Sequence, residues 1–197
     1  HALFAEYGLV VIIPDSANLK RIMQPVFEED LFQQQPSAIV EKTIERLSEN
    51  YKVQASPRQV NLFYMTDGVR NLIEFANGGY EVKNTDIKFT KEAIHAELKD
   101  HPERFSPNVI LRGLFQEILL PNIAFIGGGG ETAYWLELAD LFDHYNVPFP
   151  VLVLRNSFLI VEKKWQEKIE KLGFTPQDFF QPEQQLLTAL VSRNKNG

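Results

Sequence analysis

The sequence predicts an α/β protein whose functional site lies in one strand–turn–helix–strand segment. An apolar run from Asn122 to Ile126 leads into four consecutive glycines, and a helical pattern opens at Glu131. A second apolar run, Val151 to Leu154, follows a Pro-x-Pro turn. This is the order of a βαβ unit, in which ligands bind at the carboxyl ends of the strands. We therefore expect a parallel sheet with flanking helices and a site at the glycine turn.

Two regions before this unit complete the expected α/β body. Leu9 to Ile13 is a continuous apolar and β-branched run, which predicts a strand buried on both faces of the parallel sheet. Residues 18–50 follow a helical pattern with breaks at Pro25 and Pro36. Both regions are expected to belong to the same body as the βαβ unit.

Residues 53–89 follow a different sequence pattern, with short apolar runs separated by turns at 66–68 and 77–79. The glycine and Asp or Asn residues in these turns favour hairpins, so we predict a small inserted antiparallel meander. Thr90 can cap the next helix. The predicted segments are a first part of the α/β body (1–52), an inserted β meander and helix (53–104), the α/β body with the glycine turn (105–161) and a C-terminal helical tail (162–197).

Composition excludes several classes of function. The chain has 197 residues, of which 44% are hydrophobic and 23% charged, as in an ordinary globular domain. Its net charge of -6 and lack of a basic stripe argue against nucleic-acid binding. There is no cysteine, which excludes thiolate chemistry and fits a reducing compartment. No apolar run approaches the roughly 20 residues that span a bilayer. We expect a soluble, cytoplasmic protein without membrane contact.

The four glycines, Gly127, Gly128, Gly129 and Gly130, are candidates for binding a phosphate or nucleotide, because their backbone N–H groups can approach a ligand closely. They lack the Lys-Ser/Thr ending of a Walker loop and the third glycine of a dinucleotide fingerprint. Glu131 in the first helical turn suits an amine or hydroxyl better than an anion. The alternative is a purely structural turn in which Glu131 pairs with the helix dipole.

Asn108, Arg112 and Gln116 form a polar stripe at a spacing of four residues along an otherwise apolar helix. Such a stripe must be solvated, mutually paired or directed at a ligand, and Arg112 can bind a carboxylate or phosphate through two parallel bonds. The alternative is that Arg112 bridges to a core carboxylate such as Glu117 or Glu131. Ser106-Pro107 is interpreted as the N-cap and first residue of this helix.

Two further residues are candidates for ligand contact. Tyr134 lies near the glycine turn on a helix whose other aromatic residues are expected to be core, and Arg155 follows the last strand at its carboxyl end. The histidines share no ligand spacing, so no metal site is predicted.

Taken together, these motifs resemble the family of bacillithiol biosynthesis cysteine-adding enzymes. The resemblance extends over most of the chain. The residues that carry it are Leu3-Phe4, Glu6–Val10, Val60–Tyr64, Phe105–Asn108, Leu111-Arg112, Gln116-Glu117, Leu120-Pro121, Gly127-Gly128, Glu131, Ala133–Trp135, Val147–Pro150 and Arg155. At two positions the chain departs from the family pattern, with Gly113 after the arginine and Gly129 in the turn, each where the family has proline.

The resemblance implies a Rossmann-like core within a longer protein that also contains a helical coiled coil and forms a homodimer. It implies a C–N bond-forming ligase that joins cysteine to glucosaminyl-malate, with ATP or another nucleotide activating the carboxylate. This chain is expected to be an internal piece of such a ligase, inactive by itself. In this interpretation Glu131 is the catalytic base, Arg112 binds the malate carboxylates, and the glycine turn with Arg155 stabilises the leaving phosphate.

Two other functions remain open at this stage. The chain could be a non-catalytic ligand-binding or assembly module, in which the meander and helical tail serve contacts between subunits. It could also be a sugar-nucleotide-binding domain, although the sequence offers no acidic pair for the metal of such a domain.

Overall fold

The computed structural model describes residues 4–195, with side chains through residue 192. The chain divides into two compact units, of which the first ends at Arg155 and the second begins at Asn156. The outer ends of the first and last predicted segments, residues 1–3 and 196–197, lie outside the described residues. None of the helices within residues 4–195 is long and apolar enough to span a membrane.

Three helices open the first unit: α1 (Ala17–Ile22), α2 (Gln24–Gln33) and α3 (Gln35–Ser48). The predicted breaks at Pro25 and Pro36 are confirmed, because each proline lies in the first turn of a new helix, where its missing N–H is not needed. Gln34, between α2 and α3, has a left-handed backbone with φ of 55°. This residue redirects the chain so that both helices can pack on the core.

The strand predicted at Leu9 to Ile13 is absent, and the prediction was wrong. These residues adopt no regular structure, and their side chains are exposed, with Val10 at 67% and Ile13 at 74% of full exposure. An apolar, β-branched run forms a strand only when a neighbouring strand accepts its backbone hydrogen bonds. Among the described residues no strand pairs with this segment. The local composition is typical of a strand, but it does not show whether a neighbouring strand is present to pair with it.

The predicted antiparallel meander is confirmed. Its strands are β1 (Leu62–Thr66), β2 (Val69–Ala76), β3 (Gly79–Val82) and β4 (Lys88–Phe89). Gly68, Asn77 and Gly78 have the positive φ that tight hairpins require. Helix α4 (Lys91–Asp100) follows, and the Thr90 side chain accepts a hydrogen bond from the Ala93 N–H at 3.2 Å, as predicted for its cap.

A fifth strand, β5 (Phe105–Pro107), joins this sheet beside β1 and gives the order β4-β3-β2-β1-β5. The interpretation of Ser106-Pro107 as a helix start was therefore wrong. Pairing with β1 keeps both residues extended, and α5 (Val109–Leu119) begins only after Asn108. The Asn108 side-chain oxygen accepts the Ile110 N–H at 2.8 Å and is the actual cap. Two polar residues in succession offered two possible caps, and strand pairing selected the second.

The predicted βαβ unit is confirmed. Strands β6 (Ala124–Gly127) and β7 (Val151–Leu154) are parallel, and Ala124 is opposite Val151. They are connected by α6 (Gly129–Glu137) and α7 (Ala139–His144). Buried Trp135 of α6 stacks on Phe125 of β6 with ring centroids 4.1 Å apart, which attaches the helix to the sheet. The parallel sheet has two strands within the described residues.

The second unit consists of α8 (Lys163–Lys171), a short 3-10 helix (Pro176–Phe180) and α9 (Glu183–Lys195). The Asp178 carboxylate accepts hydrogen bonds from the N–H and the hydroxyl of Thr175 at 2.7 and 2.9 Å. Helix α8 buries no side chain within this part of the structure, in agreement with its dense mixture of Lys and Glu. The unit matches the helical tail expected from the sequence.

Candidate functional site

A cavity of about 640 Å³ opens between the start of α5 and the start of α6, and we call it the arginine cavity. Its volume is sufficient for a small metabolite. All five of the predicted side chains on these two helices line it. They are Asn108, Arg112, Gln116, Glu131 and Tyr134. The fold thus brings together the polar stripe of α5 and the acidic start of α6, which are separated in sequence.

Arg112 has no carboxylate partner within ion-pair distance in the described part of the chain. The alternative in which it bridges to a core carboxylate does not occur. Buried Glu117 accepts hydrogen bonds from the N–H of Asn122 at 2.7 Å and from the Gln116 amide at 3.0 Å. Glu131 accepts a backbone N–H instead. The exposed Arg112 guanidinium is therefore available to an anion.

Two further arginines line the arginine cavity, and neither was predicted. Arg70 of β2 lies over the Phe63 ring, 4.1 Å from its centroid, and Arg58 comes from the loop before β1. Like Arg112, neither forms an ion pair with a carboxylate of the described residues. No sequence spacing relates Arg58 and Arg70 to Arg112, because a loop, a strand and a helix that are distant in sequence meet at the cavity.

Asn108 and Gln116 are engaged in structural hydrogen bonds. The Asn108 amide donates to the Asn61 side-chain oxygen at 3.0 Å while its own oxygen caps α5. The Gln116 amide donates to Glu117. Asn108 therefore orients the start of α5, and Arg112 is the cationic residue of the stripe and makes no ion pair with a carboxylate of the described residues.

The buried Asp30–Asn61 pair holds the loop of Arg58 against the start of α5. The Asp30 carboxylate accepts the Asn61 N–H at 2.6 Å and its side-chain amide at 2.9 Å. The Asn61 oxygen in turn accepts both the Arg58 N–H and the Asn108 amide at 3.0 Å. Burial raises the pKa of Asp30 to about 7, and the hydrogen bonds from Asn61 act in the opposite direction.

A second buried carboxylate ties the same loop to α6. Glu137 is 3% exposed, and its two oxygens accept the N–H groups of Gln54 and Ala55 at 2.7 and 2.9 Å. These residues precede Arg58 in the loop that lines the arginine cavity. One wall of the cavity is thereby held by buried, charge-assisted hydrogen bonds.

The glycine turn joins β6 to α6, with Gly127 ending the strand and Gly128 preceding the helix. A Cβ on Gly127 would lie 2.6 Å from the Phe125 ring, and one on Gly128 would lie 3.0 Å from the Arg155 guanidinium. Gly129 faces open space. Arg155 thus lies against Gly128 and does not line the arginine cavity. The N–H groups of the first helical turn have no acceptors within the helix, and the Gly128 N–H that precedes them is bound by the Glu131 carboxylate.

Glu131 has a structural hydrogen bond in addition to its place in the cavity wall. One of its carboxylate oxygens accepts the Gly128 N–H at 2.9 Å. The structural alternative for this residue therefore describes one of its contacts. The same side chain is also exposed and lines the arginine cavity, so a contact with a ligand remains open to it.

The two glycines at which the chain departs from the family pattern, Gly113 and Gly129, have different surroundings. A Cβ on Gly113 would lie 3.3 Å from the Trp135 ring, so a residue without a side chain allows α5 and α6 to approach closely. Gly129 has no atom within 4 Å of such a Cβ. Across residues 4–195 no three His, Cys, Asp or Glu side chains gather in a metal-binding arrangement.

A parallel βαβ unit with a glycine turn at the carboxyl end of its first strand defines a Rossmann-like α/β domain. Residues 1–156 match the family described as "Bacillithiol biosynthesis BshC, N-terminal Rossmann-like domain". The chain belongs to this family.

Several relatives carry the name "Putative cysteine ligase BshC". The chain is 47% identical to the protein of Flavobacterium johnsoniae over 193 residues, which cover 98% of this chain and 36% of that relative. It is 43% identical to the protein of Christiangramia forsetii, over 97% of this chain and 36% of the relative. It is 33% identical to the protein of Salinibacter ruber, over 90% of this chain and 33% of that relative. The chain thus spans about a third of the length of these relatives.

Proposed function

We propose that this chain forms part of the active site of a ligase that joins cysteine to glucosaminyl-malate in bacillithiol synthesis. The observation that carries the proposal is the arginine cavity, in which Arg58, Arg70 and Arg112 have no carboxylate partners among the described residues. Unpaired arginines around a cavity favour an anionic ligand. Membership of a bacillithiol biosynthesis family, with relatives named as cysteine ligases, supports this choice of reaction.

The acceptor substrate matches the charge of the arginine cavity. Its malate moiety carries two carboxylates, and a guanidinium binds a carboxylate through two parallel N–H···O bonds. Arg112 is the proposed anchor, because its guanidinium is exposed within the cavity and Asn108 fixes the start of its helix. The proposal therefore places the malate end of the acceptor near α5.

The amine of the acceptor must lose a proton before it can attack a carboxyl carbon. Glu131 is the carboxylate that lines the arginine cavity and is proposed to accept this proton. The Gly128 N–H binds one oxygen of this carboxylate, and the other oxygen is the proposed acceptor of the proton. The arginines across the cavity would hold the acceptor so that its amine can approach this residue.

A nucleotide is proposed to bind at the glycine turn, where ATP would supply activation of the cysteine carboxylate. The Arg155 guanidinium lies against Gly128, and together with the first N–H groups of α6 it could bind a phosphate group. Glu131 already accepts the Gly128 N–H, so the phosphate would use the donors that follow this residue. A Cβ on Gly128 would lie 3.0 Å from the Arg155 guanidinium, which would have to shift slightly to accommodate it. The chemistry of these donors suits developing negative charge.

The full-length protein is further proposed to act as a homodimer in the cytoplasm. This part of the proposal rests on the family resemblance alone. Sedimentation analysis of the full-length protein gives the oligomeric state directly, and a monomeric mass at working concentration would remove this part while leaving the proposed reaction unaffected.

The test of the proposed function is calorimetric titration of the full-length protein with glucosaminyl-malate. Arg112→Ala should weaken binding about 10- to 100-fold, because a charge-assisted bidentate contact is worth about 1.5–3 kcal/mol. Arg21→Ala, which removes an exposed arginine of α1 outside the cavity, is the matched control and should bind as the unmodified protein does. Equal affinity in the Arg112 variant and the control would refute the assignment.

A further inference from the structure

A second cavity of about 430 Å³ adjoins the arginine cavity and shares three residues with it, Arg70, Pro107 and Arg112. We call it the Asp15 cavity. Besides the shared residues, Asp15, Val69 and Ser106 contribute to its lining. The two cavities therefore meet at a common wall that contains Arg70 and Arg112.

Buried Lys20 orients the acidic side of the Asp15 cavity. It is 1% exposed, its ammonium group donates to the Phe105 carbonyl oxygen at 2.5 Å, and it lies 3.4 Å from the Asp15 carboxylate. Lys20 also lines the Asp15 cavity, and its ammonium group partly neutralises the Asp15 carboxylate there. The Asp15 side chain is half exposed and has a second oxygen that can accept a hydrogen bond from a ligand.

The opposite charge in the Asp15 cavity comes from the shared arginines. Arg70 donates a long hydrogen bond of 3.4 Å to the Ser106 hydroxyl, and Arg112 has no ion-pair partner in the described chain. The lining of this cavity thus carries one carboxylate, the buried ammonium group of Lys20 and two guanidinium groups. This pattern is complementary to a small zwitterion with an ammonium group and a carboxylate.

We propose that the Asp15 cavity binds the α-amino acid substrate, with its ammonium group on Asp15 and its carboxylate directed at Arg70, while Arg112 remains with the acceptor. The inference rests on the proposed function, which requires a second substrate beside the anionic acceptor. It explains why the two cavities share their arginines. A carboxylate held at the shared wall lies beside the cavity of the acceptor amine, where the new bond must form.

The geometry also separates this site from a simple anion site. A phosphate or inorganic anion would need the arginines alone, and Asp15 would repel it. An amino acid uses both charges. Removal of the Asp15 charge should therefore weaken the binding of an amino acid. It should strengthen, or leave unchanged, the binding of an anion of similar size that lacks the amine.

The experiment is calorimetric titration of the full-length protein with L-cysteine and, separately, with 3-mercaptopropionate, the same molecule without its ammonium group. Asp15→Asn should raise the Kd for L-cysteine about 10- to 100-fold, as expected for the loss of a charge-assisted hydrogen bond. The Kd for 3-mercaptopropionate should not rise. Asp67→Asn is the matched control, because Asp67 is a nearby exposed carboxylate that lines neither cavity.

Asp15→Asn removes the ion-pair partner of buried Lys20 and could therefore destabilise the fold. A second variant tests the same cavity without changing this pair. Val69 lines the Asp15 cavity and does not line the arginine cavity, so Val69→Phe should fill the former without removing a charge. Circular dichroism establishes that each variant is folded. L-cysteine binding should be lost in this variant, whereas glucosaminyl-malate should bind with an unchanged Kd.

The outcomes are distinct from those that test the proposed function. Unchanged L-cysteine binding in folded Asp15→Asn and Val69→Phe would overturn the inference. Failure of the unmodified protein to bind L-cysteine while it binds glucosaminyl-malate would overturn it as well. If the full-length protein does not bind glucosaminyl-malate at all, the proposed function itself fails, whatever the result with L-cysteine.

Discussion

Glu131 combines a structural contact with a proposed chemical one, and a conservative substitution separates the two. In Glu131→Gln the side-chain oxygen can still accept the Gly128 N–H, which is bound at 2.9 Å in the structure. The variant cannot accept a proton from the acceptor amine. We therefore expect kcat of the full-length enzyme to fall about 100-fold or more, within the range typical for loss of a general base, with little change in stability.

Steady-state kinetics and thermal unfolding of the same preparation test this prediction. Turnover of Glu131→Gln equal to that of the unmodified enzyme would remove Glu131 as the base. A large loss of stability together with activity would instead identify its bond to Gly128 as the important contact.

The residues of the candidate site differ in how far the sequence could predict them. Arg112 and Gln116 were found from helical spacing, which is a local property. Arg58 and Arg70 were missed because the cavity brings together a loop, a strand of the antiparallel sheet and α5. The pairing of β1 with β2 places Arg70 there, and the hydrogen bonds of Asn61 hold the loop of Arg58. Single-sequence patterns determine neither of these long-range contacts.

At the scale of elements, the buried Asp30–Asn61 pair connects α2 to the strand and the helix that carry the site. Burial raises the pKa of Asp30 from its ordinary value to about 7. Between about pH 4 and pH 7 the folded state thus retains a proton that the unfolded chain releases. The contribution of Asp30 to stability is therefore greatest at low pH and falls as pH rises through about 7.

Urea unfolding of the protein at pH 5 and pH 7.5, compared with that of Asp30→Asn, measures this effect. Relative to the variant, the unmodified protein should lose stability on going to the higher pH, by at most about 3 kcal/mol, because pH 5 lies about two units below the pKa of Asp30. The variant lacks the titrating group, so its own pH dependence reports the other ionisable residues. Parallel pH profiles for the two proteins would contradict the assignment to Asp30.

The elements themselves were predicted with uneven success, for physical reasons. The meander and its turns follow from Gly68, Asn77 and Gly78, whose positive φ is a local requirement. The βαβ unit follows from apolar runs around the glycines. By contrast, Leu9 to Ile13 has the composition of a buried strand and is exposed, because a strand also needs a neighbour that no local pattern can identify.

At the scale of the whole molecule, the exposed apolar residues form a consistent set. Val10 and Ile13 of the predicted strand are 67% and 74% exposed, and Ile126 and Val151 of the β6–β7 sheet are 67% and 64% exposed. Parallel sheets in α/β proteins are covered on both faces. The relatives of this chain are about three times as long as the matched region. We therefore expect the rest of the full-length protein to cover these residues.

Hydrogen exchange followed by mass spectrometry tests this expectation on the isolated 197-residue chain and on the full-length protein. Amides of residues 9–13 should exchange rapidly in the isolated chain, where the segment has no strand partner, and at least about 100-fold more slowly in the full-length protein if they join a sheet there. Amides in the β1–β2 hairpin, which is already paired, serve as the internal control and should exchange alike in both. Rapid exchange of residues 9–13 in the full-length protein as well would mean that this apolar segment remains uncovered. It would then have to be explained as a surface for a separate partner.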